Sequence, residues 1–128
     1  MANNKFSSNL EKKVAMQLVQ NNTLFQYEKL IIFYMKNFTK ESHYKPDFIL
    51  NNGVIIEVKG AFNSKDRRKH RLIKEQYGNK YDIRFLFSDA NKKIGNKSQT
   101  SYGDWCDIFG FKFAEKQIPK DWLKEGGK

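Results

Sequence analysis

The sequence predicts an α/β fold, a mixed central sheet flanked by helices, in one domain over residues 1–128. Three observations predict it. Of 128 residues, 39% are hydrophobic, with 11 Phe, 6 Tyr and 2 Trp, which is enough for one packed core and too apolar for a disordered tail. Helix-like and strand-like stretches follow one another in the order α-β-β-β-α-β-α-β-α, the pattern of a layered sheet with covering helices. No repeat, low-complexity tract or Pro/Gly-rich linker interrupts that order.

The elements can be justified in turn. Residues 7–22 (SSNLEKKVAMQLVQNN) predict a helix: Ser8 or Asn9 can cap it, Leu10, Val14 and Leu18 recur at helical spacing, and two Asn close it. Residues 24–36 (LFQYEKLIIFYMK), rich in aromatic and β-branched side chains, predict one long strand. The polar stretch 37–45 reads as a connection into Pro46, a residue suited to the first position of a strand. Residues 45–62 (KPDFILNNGVIIEVKGAF) predict two strands around a turn. Residues 63–79 predict a helix ending at Gly78-Asn79, residues 81–87 an alternating strand, and residues 88–100 a basic loop. A short helix over 101–110 is capped by Ser101 and stopped by Gly110, 111–118 adds a short strand, and Pro119 starts a last helix through Glu125.

Composition narrows the function. The apolar run LIIFYM (30–35) is far too short to cross a membrane, and the N-terminus lacks the apolar segment of a signal peptide, so export is not expected. Cys106 is alone, which excludes an internal disulfide framework; with only His43 and His70 beside it, a Cys/His zinc site lacks ligands. Any metal must be held mainly by oxygen, which favours Mg²⁺, with Mn²⁺ as its substitute. The balance of 24 Lys+Arg against 14 Asp+Glu, a net +10, points to a polyanion. Nucleic acid is the simplest such partner, ahead of a mere solubility charge or a basic subunit of an assembly.

Charges inside the apolar hairpin are the sharpest signal. Asp47, Glu57 and Lys59 sit among Phe48, Ile49, Leu50, Val54, Ile55, Ile56 and Val58, where a charge is costly unless it is paired or bound to metal. Alternation places Ile55, Glu57 and Lys59 on one face of their strand. A two-residue Asn52-Gly53 turn would set Asp47 opposite Val58, on the wrong face. A three-residue loop, Asn51-Asn52-Gly53 with Gly53 left-handed, sets Asp47 opposite Glu57 and beside Lys59, and this is the expected register. Two such carboxylates repel, and a divalent cation held by Asp47 and Glu57 relieves them. Lys59 can then orient a water or stabilise transition-state charge, and the Val58 main-chain carbonyl is an extra candidate ligand. Glu11 is a fourth member: it falls mid-arc among Leu10, Val14, Ala15, Leu18 and Val19 on the first helix. It reads either as a buried ion-pair partner or as a further carboxylate of the metal site.

Pro46-Asp47 and Glu57-Val58-Lys59 together form the PD-(D/E)XK nuclease pattern. The segments NLEKKV, YKPDFIL, NGVIIEVKGAF, DRRKHRLIKEQ, DIRFLFS, SYGDWC, GFKFAEKQIP and WLKE follow in order along residues 5–125. In this the chain resembles the bacteriophage endonuclease I family, the Holliday-junction resolvases of short-tailed phages. The resemblance implies a restriction-endonuclease-like fold and a phage-encoded, metal-dependent endonuclease acting in the cytoplasm of the host bacterium. Its substrate would be branched DNA, chiefly four-way junctions, cut to leave 5′-phosphates. It carries catalytic roles onto Glu11, Asp47, Glu57 and Lys59, and it implies an intertwined homodimer in which Glu11 completes the partner's site. Two alternatives stay open: another PD-(D/E)XK nuclease acting on duplex DNA, and a junction-binding protein without catalysis.

The helix after Lys59 is the expected DNA surface. Arg67, Arg71 and Lys74 form one stripe along it, and Arg68, Lys69 and His70 are further candidates. Lys92, Lys93 and Lys97 form a looser second patch. Tyr102 and Trp105, at helical spacing to Ile108 and Phe109, read as core rather than as base-stacking residues, and Cys106 reads as a small buried hydrophobe.

Overall fold

A computed structural model of the chain describes residues 6–124; Glu125, the expected end of the last helix, lies outside them. The elements run α1 (Asn9–Gln20), β1 (Phe25–Tyr27), β2 (Ile32–Met35), β3 (Glu41–Tyr44), β4 (Phe48–Leu50), β5 (Val54–Lys59), α2 (Ser64–Tyr77), β6 (Asp82–Phe87), α3 (Tyr102–Phe109), β7 (Phe113–Glu115) and α4 (Lys120–Lys124). A five-stranded mixed sheet has the order β1-β4-β5-β6-β7. Its first two pairings are antiparallel and its last two parallel. A parallel pair needs a crossover, and α2 and α3 supply the two that are required.

Helices cover both faces, so β5 and β6 are buried on either side. On one face Val14, Ala15 and Leu18 of α1 pack with Phe48, Leu50, Val54, Ile56, Val58 and Trp122. On the other, Ile73 of α2 packs with Ile55, Ile83 and the buried side of β2 and β3, while Tyr102, Trp105 and Cys106 of α3 join Phe62, Phe85 and Phe87. The core roles of Tyr102, Trp105 and Cys106 hold, and burial pushes the Cys106 thiol up to about 12, leaving it unreactive. Two expected core positions are corrected: Val19 and Ile108, at the edges of their helices' apolar arcs, face outward.

The caps match the local chemistry. Ser8 caps α1, accepting from the Glu11 N–H. Ser101 and Asp104 form a reciprocal capping box, and Gly110 ends α3 at φ 79°, a left-handed conformation that favours glycine.

The main correction concerns residues 24–36. They form two strands, because Glu28 adopts φ 52° and turns the chain out of the central sheet. β1 stays on the sheet edge against β4, whereas β2 pairs with β3 in a separate two-stranded sheet. The polar connection also contains that second strand, β3, of which only Tyr44 is fully buried. Such a strand carries no apolar alternation to reveal it.

Candidate active site

The β4–β5 hairpin builds the site. Phe48 pairs with Ile56 and Ile49 with Ile55, so the same register carries Leu50 opposite Val54 and Asp47 opposite Glu57. The connection is the three-residue loop: Gly53 lies at φ 91° and its N–H donates to the Leu50 carbonyl at 2.9 Å. Asp47 is then fixed from three sides. The Val58 N–H donates to its Oδ2 at 2.8 Å, its own N–H donates to Glu57 Oε1 at 3.4 Å, and its carbonyl accepts from the Glu28 N–H at 2.9 Å.

Glu57 is buried, and its Oε1 accepts from the Tyr44 hydroxyl at 2.7 Å. Lys59 Nζ lies 3.5 Å from Glu57 Oε2 and 3.5 Å from Asp66 Oδ2 in the first turn of α2. Glu11, also buried, reaches the site from α1. It pairs with no cation among the described residues. Instead it accepts from the Tyr27 hydroxyl and from Ser7 Oγ, the latter at 2.8 Å. Carboxylate oxygens of Glu11, Asp47 and Glu28 lie within 4.8 Å of one another. Glu57 lies outside that group of three, while Glu57, Glu11 and Lys59 all act electrostatically on Asp47. In the single chain, Glu11 stands beside its own chain's Asp47.

Electrostatics follow from that crowding. Burial first, and then the neighbouring Glu57 charge, push Asp47 up to about 8 against the pull of the Val58 N–H and Lys59. Glu57 is likewise raised by burial, with Lys59 and the Tyr44 hydroxyl opposing. The donor set is entirely oxygen, clustered and short of compensating cations. That is the chemistry suited to a hard divalent ion such as Mg²⁺ or Mn²⁺.

Three contributors escape sequence reasoning. Tyr44 and Glu28 lie in stretches whose sequence misleads about their local structure. Asp66 had a faint signal, as an acidic residue in the first turn of a helix that follows directly on the Glu-X-Lys strand.

On the basic helix, the residues of the expected stripe also make contacts within the chain. Arg67 donates to the Phe62 carbonyl at 2.5 Å, the Arg71 guanidinium lies 4.5 Å from the Phe109 ring centre, and Lys74 lies 4.7 Å from that of Phe111. Lys74 also donates to the Gly110 carbonyl at 3.0 Å. These three therefore tie α2 to its surroundings. Lys65, Arg68 and Lys69 instead line a cleft shared with Lys36 and His43 of the β2–β3 hairpin. His70 is a correction: it is completely buried against Tyr44 and Phe85, so its ring does not face DNA. Among the described residues its ring nitrogens have no hydrogen-bond partner, and burial holds its pKa well below the usual histidine range, as a neutral ring requires.

Clustered carboxylates with an adjacent lysine, at one end of a mixed sheet in a basic chain, are the equipment of a phosphodiester hydrolase. Comparison with known proteins agrees. The phage endonuclease I family matches residues 1–128. Endonuclease I of Escherichia phage T7 is 44% identical over 120 residues, covering 94% of this chain and 79% of that protein. Endodeoxyribonuclease 1 of Enterobacteria phage T3 is 46% identical over 121 residues, covering 94% and 78%. The chain belongs to the phage endonuclease I family.

Proposed function

We propose that this protein is a structure-selective endodeoxyribonuclease that resolves four-way and other branched DNA junctions by Mg²⁺-dependent hydrolysis, leaving 5′-phosphates. The observation that carries the reading is the facing pair Asp47 and Glu57, with Lys59 3.5 Å from Glu57, in a chain of the endonuclease I family. The hairpin and its covering helices fit a PD-(D/E)XK fold. Junction selectivity rests on the resemblance to the phage resolvases, and the host cytoplasm is where such a phage enzyme would act.

Asp47 and Glu57, with the Val58 carbonyl and Glu11, would hold the ion. When bound, it supplies Lewis-acid activation of water and neutralises the scissile phosphate. The protein's own groups do the rest. Tyr44 orients Glu57 through its hydroxyl, and the Val58 N–H orients Asp47. Lys59, steadied between Glu57 and Asp66, donates toward the water or the negative charge developing on the phosphoryl oxygens.

A homodimer is part of the proposal, because resolving a junction takes two symmetric cuts and each chain has one Asp47/Glu57/Lys59 cluster. The outer face of the β2–β3 hairpin supports it: Ile31, Phe33, Met35 and Phe38 are exposed there, Phe38 fully. Opening the hairpin turn, closed by the Lys36 N–H to the Lys40 carbonyl at 2.7 Å, would let α1, β1 and β2 cross to a second chain while remaking the β2–β3 pairing there. Glu11 would travel with them into the other chain's site.

The test is Mg²⁺-dependent cleavage of an end-labelled four-way junction beside a linear duplex of the same arms. Cutting confined to the junction is expected. Equal cutting of the duplex would make this a general nuclease, and junction binding without cutting would make it a non-catalytic binder.

A further inference from the structure

Glu28 has no counterpart in the PD-(D/E)XK pattern, yet its carboxylate stands within 4.8 Å of those of Glu11 and Asp47. Its backbone is bonded to the site as well, through its N–H to the Asp47 carbonyl at 2.9 Å. At φ 52° it occupies a conformation uncommon for a residue other than glycine. Of the three carboxylates it is the exposed one, Glu11 being buried and Asp47 half-buried.

The surrounding charge makes this placement informative. Among the described residues the Glu28 carboxylate makes no hydrogen bond or ion pair, in a chain with 24 Lys+Arg. Glu11 is held by Tyr27 and Ser7, and Asp47 by the Val58 N–H. An unpaired, solvated carboxylate where a phosphate must approach repels the substrate, unless a cation lies between them.

We infer that Glu28 is a further metal ligand of the active site, on the Glu11 side of Asp47, and that it binds the divalent ion from the solvent side. The inference rests on the metal-dependent reading above and adds to it a residue of the β1–β2 connection. Glu57 stands outside that group of three, engaged with Tyr44 and Lys59.

Calorimetric titration of Mn²⁺ into the chelator-stripped full chain tests the inference without relying on cleavage. Glu28→Gln, which keeps side-chain length and removes the charge, should weaken Mn²⁺ binding by about tenfold or more. Glu28→Asp, which keeps a carboxylate and tolerates the left-handed backbone, should recover part of that loss. Metal-free junction binding by Glu28→Gln should be unchanged or tighter. A folded Glu28→Gln protein that titrates like the wild type overturns the assignment while leaving the metal reading intact. Wild-type protein that takes up no Mn²⁺ overturns both. Equal weakening in Glu28→Gln and Glu28→Asp, with a matching fall in melting temperature, assigns Glu28 a structural role in the turn instead.

Discussion

Asp47 is surrounded by acidic neighbours and has been left little solvent, so its charge is tolerable only with help. Replacing it by Asn, or Glu57 by Gln, should lower junction cleavage by at least about a hundredfold. Binding measured by gel shift on the same protein should persist or tighten, since a negative charge near phosphate is removed. Loss of both activities in a folded variant would make these carboxylates structural. Stability should report the same crowding. The folded pKa of Asp47 is about 8, with burial the leading cause, and that of Glu57 is raised in the same direction. Raised carboxyls bind more protons folded than unfolded, so the Asp47 contribution is complete below about pH 4 and is lost as pH rises through about 8, and the Glu57 contribution has the same sign. Metal-free Asp47→Asn should therefore melt above wild type at pH 8, the gap closing toward pH 4.5; Mg²⁺ at pH 8 should raise the wild type but not the variant. His70, held neutral by burial, slopes the other way below about pH 6.5, and comparison between the two proteins removes it. A melting-temperature difference that does not vary with pH would remove Asp47 as the source. At this scale much was legible. Asp47, Glu57 and Lys59 advertised themselves because charges inside an apolar hairpin demand a reason, and Glu11 because it interrupts an apolar arc. His70 was hidden, since charged neighbours along α2 mask the one turn at which the helix faces the core.

At the scale of elements, α2 carries two populations of cation. Arg71 and Lys74 lie over the Phe109 and Phe111 rings, whereas Lys65 and Arg68 line the cleft toward the β2–β3 hairpin. Replacing Lys65 and Arg68 by Ala should weaken junction binding and lower the slope of log affinity against log salt by about 0.9 per lost phosphate contact, on the duplex scale. Replacing Arg71 and Lys74 should chiefly lower stability, by about 0.5–1 kcal/mol for each ring contact. The reverse pattern in salt titrations and thermal melts would restore the Arg67–Arg71–Lys74 stripe as the DNA surface. The hairpin register was readable beforehand because only one loop length set two carboxylates face to face. The break at Glu28 was not readable: aromatic and β-branched residues dominate the stretch as a whole, and a non-glycine residue at positive φ leaves no trace in composition. β3 escaped for a related reason, as its partner is the separate strand β2 and not the main sheet.

For the whole molecule, the apolar outer face of β2 and the turn at 36–40 bear on assembly. Co-expressing a Glu11→Ala chain with a Glu57→Ala chain, each carrying its own tag, and purifying the mixed dimer distinguishes exchanged from self-contained sites. If the α1–β1–β2 arm crosses over, one site receives both lesions and the other none, so nicking of a single strand should return while paired resolution stays impaired. If each chain keeps its own Glu11, both sites are damaged and no activity returns. Helices, caps and the mixed sheet followed from periodicity and turn chemistry within one chain. The arm exchange proposed above would leave no such signal, because crossing would remake the β2–β3 pairing between chains.

The three-residue loop at Asn51–Gly53 looks like ordinary surface, the kind of place where insertions are usually tolerated. Here it acts as a counting device. Because side chains alternate along a strand, a one-residue slip of the β4–β5 pairing would turn Asp47 away from Glu57 and carry Phe48 and Leu50 off the face that packs on α1. The loop is therefore constrained in length and comparatively permissive in sequence: exposed Asn51 is free to vary, while Asn52 is tied to Trp122 and Val54, and Gly53 is held by its backbone angle. In a pooled library of variants, single-residue insertions and deletions there would sort with the catalytic nulls, although the loop lies outside the carboxylate cluster.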